Sequence, residues 1–475
     1  MTDWVPKLHE SRQPIYLRLA DAIEEAIISE ELPPGSKLPP QRNLAFDLGV
    51  TLGTVTRAYQ TARERGLLTG EVGRGTFVRN GEFQDSAHLK ASSEPIFAML
   101  GRERPDTPQT RPMILSSTSA PSVGQTELLT PIMERILAKE EHRAIDYVRR
   151  LPRSWSDAGA QWMTTGGWTP NPSSTFATQG ADPAILAAMA TVAAPGERIV
   201  METPTYKCAA QAIGLIGRIP IASQSDGEGL RPDDFERLCA RQHPRAVFLM
   251  PAAHNPTHVR MTEARRHEIV DIARRHNVWI IEDNVYGSLL TDNLPPLAAL
   301  APERTFHLSS LSKAVAAGLR VGWMSCPPGQ APRAASAHKL LAGPKPFLLA
   351  QLGAELVLSG IANDIRDRVR AELAARHELV GRHLNGFEFA SNPHLPFIWL
   401  KMPEQWSSAS FVKAAEAHGI RIDGEDEYKP VRSETQLHRV RIGISAITER
   451  ETLEQGLSLL AGLLQHGAAA YETFA

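Results

Sequence analysis

Ser309-Ser310-Leu311-Ser312-Lys313, followed by Gly318-Leu319-Arg320-Val321-Gly322, decides the reading of this chain. An amine lies there among hydroxyls, with a guanidinium seven residues on. Upstream, apolar runs at 198–201, 246–250, 278–281 and 305–308 read as buried strands, and 208–215 and 263–276 carry helical patterns. Strands alternating with helices predict an α/β fold, a mostly parallel sheet covered by helices. Ligands gather at the carboxyl ends of such strands, where the candidate residues fall.

Those residues form a set. Gly180 and Ala181 precede a helix expected from about Pro183, whose N-terminal N–H groups suit a phosphate. Tyr206 offers a ring to lie against a heteroaromatic ligand, Asn255 and Tyr286 offer donors, and Asp283 follows a strand as an acid. Ser310, Ser312 and Arg320 supply further phosphate contacts around Lys313. A lysine for an imine, an acid for a ring nitrogen, donors for a phenolic oxygen and a phosphate cradle are the needs of pyridoxal 5′-phosphate. Singly, Asn255-Pro256 is a turn signal and Asp283 a helix cap; order and spacing together make the case for a site.

At 475 residues the chain exceeds one small core, and two or three folding units are expected. With 42% hydrophobic and 22% charged residues it has globular composition, and a net charge of −2 gives no overall polycationic character, so a case for nucleic acid must be made locally. Three cysteines without paired spacing predict a reducing cytoplasm. No apolar run reaches the roughly 20 residues of a membrane span.

The first 80 residues read differently. Ile15, Leu19, Ile23 and Ile27 recur at one-turn spacing, and a second helix is expected from Pro40 to Leu48. Gly49 turns the chain, and Thr51 caps a third helix with Val55, Ala58, Tyr59 and Ala62 on one face. Gly73-Arg74-Gly75-Thr76-Phe77-Val78 reads as the glycine-rich tip and return strand of a wing. That order is a winged helix-turn-helix. Arg42, Arg57, Arg63, Arg65, Arg74 and Arg79 stand against Asp47, Glu64 and Glu71, a local surplus suited to phosphates. Residues 81–117 lose periodicity and read as a linker with a short helix near 96–100, leaving 118–475 as the large domain.

Leu38-Pro39-Pro40-Gln41-Arg42-Asn43-Leu44-Ala45, Leu48-Gly49-Val50-Thr51 and the wing resemble the GntR family of winged-helix repressors. The resemblance implies that Arg42, Thr51, Thr54 and Thr56, with Arg57 a further candidate, face double-stranded DNA. It puts Gly73 and Arg74 in the minor groove. Leu52 and Gly53 stand where that family often has a base-reading arginine. The downstream motifs resemble fold-type I aminotransferases, implying a small C-terminal α/β subdomain. They also imply a substrate-carboxylate role for Arg441 in Arg439-Val440-Arg441-Ile442-Gly443. There are three departures: His258 replaces a glycine, Ala316-Ala317 a proline-containing approach, and Asp182 puts a carboxylate beside the cradle.

The two modules together resemble the MocR/GabR family of regulators. That implies a head-to-tail swapped homodimer that senses an amino compound through an imine at Lys313 and answers at a DNA operator. A working aminotransferase with an accessory winged helix uses the same residues, and sustained keto-acid turnover separates the two.

Overall fold

Apolar residues one turn apart bury one face of α1 (Ile15–Ile28), with Leu19, Ile23 and Ile27 at most 3% exposed. They pack with Leu44 of α2 (Gln41–Asp47) and with Val55, Ala58 and Tyr59 of α3 (Leu52–Glu64). The Thr51 side chain accepts from the Thr54 amide and so caps α3. Antiparallel β1 (Leu68–Glu71) and β2 (Gly75–Val78) form the wing. The Tyr59 hydroxyl donates to the Pro39 carbonyl at 2.8 Å, tying α3 to the approach to α2.

This computed structural model describes residues 4–6, 14–29, 31–65, 67–71, 75–78, 112–292, 294–431 and 435–466. The chain divides into two compact units, Met1–Gln109 and Thr110–Ala475. Gly73, Arg74 and Arg79 lie outside the described residues, as do 81–111 with the helix expected near 96–100. The end of the expected linker is corrected. Met113–Ile114 forms β3, and Leu115 is fully buried, so 113–117 belong to the large unit.

In the large unit, eight strands form one sheet in the order β4-β11-β10-β9-β8-β5-β6-β7. These are β4 (Thr175–Thr178), β5 (Arg198–Thr203), β6 (Ile219–Asp226), β7 (Gly229–Leu230), β8 (Ala246–Leu249), β9 (Trp279–Asp283), β10 (Thr305–Ser310) and β11 (Gly322–Ser325). The neighbours from β10 through β9, β8 and β5 to β6 are parallel, whereas β4–β11, β11–β10 and β6–β7 are antiparallel. Strands β8 and β10 are buried along their whole length, as expected for a sheet covered on both faces. Its helices include α4 (Arg153–Met163), α5 (Ala181–Val192), α6 (Lys207–Leu215) and α7 (Glu263–Arg275).

A smaller antiparallel sheet has the order β12-β13-β16-β15: β12 (Phe389–Ala390), β13 (Phe397–Lys401), β15 (Asp423–Gly424) and β16 (Arg439–Gly443). β14 (Ile420–Arg421) pairs with β3 in parallel. The helices α8 (Ile361–His383) and α9 (Arg450–His466) accompany it, with Leu453 and Leu457 in its core. This is the expected C-terminal α/β subdomain. Among the described residues no single helix is long and apolar enough to cross a membrane.

Candidate functional site

The carboxyl ends of β5, β8, β9 and β10 point the same way because the strands are parallel, so the loops after them converge. A cavity of about 370 Å³ lies there, lined by Ala181, Asp182, Tyr206, Asn255, Asp283, Tyr286, Ser310, Ser312, Lys313 and Arg320 among others. Nine of the ten residues expected at the cofactor are thus brought together. The tenth, Gly180, is the residue before α5, with φ +88°, and a side chain there would meet the Arg320 guanidinium at 3.6 Å. The helix begins at Ala181, two residues before the expected start, so its first N–H groups border the cavity.

Lys313 Nζ donates to Thr118 Oγ1 at 2.9 Å and lies 5.8 Å from the Tyr286 ring centroid. Burial, with the Arg441 charge adding, pushes its amine down from 10.5 to about 8. Asp283, the last residue of β9, accepts from the Val285 amide at 3.1 Å, and burial raises its carboxyl from 3.8 to about 7. The Tyr286 hydroxyl is 3.3 Å from Thr118 Oγ1, and burial pushes it up to about 12. Thr118 therefore joins the two, although no motif in the sequence marks it.

Two of the three departures have a structural setting that bears on them. His258 has φ +63°, the left-handed region that glycine adopts without cost, which accounts for the glycine of the family pattern. Its ring lies tilted against Phe397 with centroids 4.4 Å apart, and burial lowers its pKa from 6.5 to about 3, which keeps it neutral. Asp182 lines the cavity, accepts from the Tyr206 hydroxyl at 2.8 Å and lies 3.5 Å from Arg320 Nη2. Nothing in the structure explains Ala316-Ala317.

Arg441 is 3% exposed and is not among the cavity-lining residues. Its Nη1 donates to Asn255 Oδ1 at 3.1 Å, and its Nη2 donates to the Ser116 carbonyl at 2.6 Å and to the Asp423 carboxylate. Asp423 was not visible as a site residue in the sequence.

In the winged unit Arg42, Thr51, Thr56 and Arg57 are exposed and Thr54 is half-buried. Several of these groups have internal partners. Thr51 Oγ1 lies 2.9 Å from Thr54 Oγ1, Thr56 donates to Gln41 Oε1 at 2.8 Å, and the Arg57 guanidinium sits 4.2 Å from the Tyr16 ring centroid. Arg65 pairs with Asp21 and Glu24, each at 2.7 Å, and Arg63 donates to Thr76 Oγ1 at 2.9 Å. The expected arginine surplus is therefore partly spent within the fold.

Residues 136–460 of the 475 match the family described as Aminotransferase class I and II. The chain belongs to that family. Residues 15–78 match the gntR family of bacterial regulatory proteins, so a GntR-type reader is fused to the aminotransferase-type domain. The chain is 28% identical over 463 residues to the uncharacterized HTH-type transcriptional regulator YdeF of Bacillus subtilis, covering 97% of this chain and 96% of that one. It is 26% identical to PtsJ of Salmonella typhimurium, a vitamin B6 salvage pathway transcriptional repressor, over 91% of this chain and 94% of that one. Among solved structures, LysN of Thermus thermophilus, an α-aminoadipate aminotransferase complexed with N-(5′-phosphopyridoxyl)-L-leucine, superimposes with a TM-score of 0.68. The identity is 20%, over 76% of this chain and 93% of that one.

The cofactor of this aminotransferase family is pyridoxal 5′-phosphate. The residues present fit it. Asn255 lines the cavity, and its Nδ2 is buried with no hydrogen-bond partner among the described residues, a donor that a ligand acceptor would satisfy.

Proposed function

We propose that the chain is a pyridoxal 5′-phosphate-dependent transcriptional regulator that senses an amino compound at Lys313 and responds through its winged helix. One observation carries the reading: a DNA reader and a cavity with lysine, acid, amide donor and cradle occur in a single chain. Relatives that are transcriptional regulators, covering over nine-tenths of the chain, support it.

In this reading Arg320, Ser310, Ser312 and the first N–H groups of α5 hold the phosphate. Asp283 keeps a proton beside the ring nitrogen, Asn255 and Tyr286 donate to the phenolic oxygen, and Tyr206 packs against the ring. When bound, the cofactor supplies an aldehyde that reacts with amines and a ring that withdraws electrons. Lys313 provides the amine, half-buried at the cavity and within reach of Thr118. Arg42 and the start of α3 meet the DNA.

For a signal to reach DNA, the amino compound must favour one shape of the large domain over another. A homodimer in the cytoplasm, with each reader serving its partner subunit, provides two readers for a bipartite operator. The test measures binding to the DNA upstream of the protein's own gene by fluorescence anisotropy, with and without cofactor and a panel of amines. The expected result is an affinity that changes when an amine alters the cofactor's absorbance. Sustained conversion of amino acids with a keto-acid acceptor, and DNA affinity indifferent to every amine, overturns it in favour of an enzyme.

A further inference from the structure

The arginine expected to receive a ligand's carboxylate already holds one from its own chain. Asp423 stands directly opposite Arg441 on the antiparallel pair β15–β16, so backbone register fixes the contact. Asp423 is itself held by Lys207 Nζ at 2.8 Å and by the Tyr428 hydroxyl at 2.7 Å. The guanidinium lies 5.6 Å and 5.3 Å from the ring centroids of Phe397 and Tyr428.

Its hydrogen bonds leave no two-point grip for a second carboxylate, with Nε alone lacking a partner among the described residues. A guanidinium grips a carboxylate with parallel bonds end-on through Nη1 and Nη2, or side-on through Nε and Nη2. Both modes need an Nη2 hydrogen, and Nη2 already donates to Ser116 and Asp423. The local charge is balanced as well: Arg441 and Lys207 face Asp423 and Glu427, the last 2.9 Å from Lys207 Nζ. An arriving carboxylate would find no net positive charge and would have to displace a buried anion with three donors.

Resting on the reading that an amine is sensed at Lys313, we infer that the ligand is a primary amine with no carboxylate on the amine-bearing carbon. The site selects against α-amino acids because Asp423 takes the place their carboxylate would need.

The test uses the full chain loaded with pyridoxal 5′-phosphate and matched probes: isobutylamine and valine, 2-phenylethylamine and phenylalanine, histamine and histidine. Half-saturation is read from the absorbance of the bound cofactor. Calorimetry with 3-phenylpropionate, a carboxylate without an amine, tests Arg441 independently of any reaction at Lys313. The amine of the best-binding pair should act at roughly tenfold lower concentration or less than its amino acid, and 3-phenylpropionate should give no heat of binding. Asp423→Asn, which keeps the shape and removes the charge, should narrow that ratio by roughly tenfold and admit 3-phenylpropionate. An amino acid that matches or beats its amine in the unaltered protein overturns the inference and leaves sensing at Lys313 standing. If neither class alters the absorbance of the loaded protein, sensing at Lys313 fails and the inference falls with it. The unaltered protein decides both outcomes, even should the variant not fold.

Discussion

Lys313 should capture an aldehyde far faster at neutral pH than an ordinary lysine does. Only the neutral amine carries the lone pair that attacks, and burial lowers this amine from 10.5 to about 8. At pH 7 about one Lys313 amine in ten is then neutral, against about one in three thousand for an ordinary lysine, a gain of roughly 300-fold. Protein stripped with hydroxylamine is mixed with pyridoxal 5′-phosphate between pH 6.5 and 10, and capture is followed by absorbance and fixed with borohydride. The rate should climb about tenfold per pH unit below the midpoint and level off above pH ~8. Asp283→Asn, which removes the nearby titrating acid, should leave that midpoint within about one unit. Lys313→Ala should yield no fixed cofactor while the fold persists. A midpoint near that of free lysine, or fixed cofactor in Lys313→Ala, refutes the assignment of a desolvated Lys313 as the attachment point.

Three further outcomes are expected. Burial raises the folded-state value of Asp283 from 3.8 to about 7, so between those values the folded protein binds the extra proton and its stability falls as pH rises. Asp283→Asn should therefore stabilise the cofactor-free protein at pH 8 by up to an order of 4 kcal/mol, with the gain gone near pH 4 in thermal melts. Arg42→Ala should weaken DNA binding and reduce the slope of log affinity against log salt by about one, measured by anisotropy across a potassium chloride series. Gly159→Ala should cost about 1–3 kcal/mol or more in chemical denaturation, because overpacking a closed core forces its neighbours apart. A Cβ there meets the Trp323 ring at 2.3 Å and Thr175 Cγ2 at 2.9 Å.

In the large sheet β4, β6, β7 and β11 went unmarked in the sequence, whereas β5, β8, β9 and β10 were legible because a strand buried on both faces needs an unbroken apolar run. Their ends were less so. Asp283 and Ser310 are the final residues of β9 and β10, where polarity signals a loop yet pairing continues, as in Ser310 opposite Gly322. Pairing uses backbone groups and is blind to side-chain polarity. Contacts distant in sequence were not legible at all: Thr118 meets Lys313 across 195 positions. Asp423 meets Arg441 through a register that depends on a two-residue strand too short to leave a pattern. In the winged unit a count of arginines could not separate charges facing outward from Arg65, committed to Asp21 and Glu24.

Two carboxylate–arginine pairs, Asp182–Arg320 at the cavity and Asp423–Arg441 behind Asn255, have opposite consequences because their settings differ. Asp182 and Arg320 are 3.5 Å apart with side chains 40% and 52% exposed, a geometry worth no more than about 1 kcal/mol. A phosphate can take Arg320 from such a partner, since it offers more charge and more acceptors, while Asp182 keeps its bond from Tyr206. Asp423 and Arg441 are 4% and 3% exposed, and separating a buried, hydrogen-bonded pair of this kind costs about 3–5 kcal/mol. A carboxylate of ordinary affinity cannot recover that cost when one anion merely replaces another in the same low-dielectric place. The exposed pair therefore leaves the cradle open to a phosphorylated cofactor, and the buried pair withholds from the ligand the grip that the fold otherwise offers.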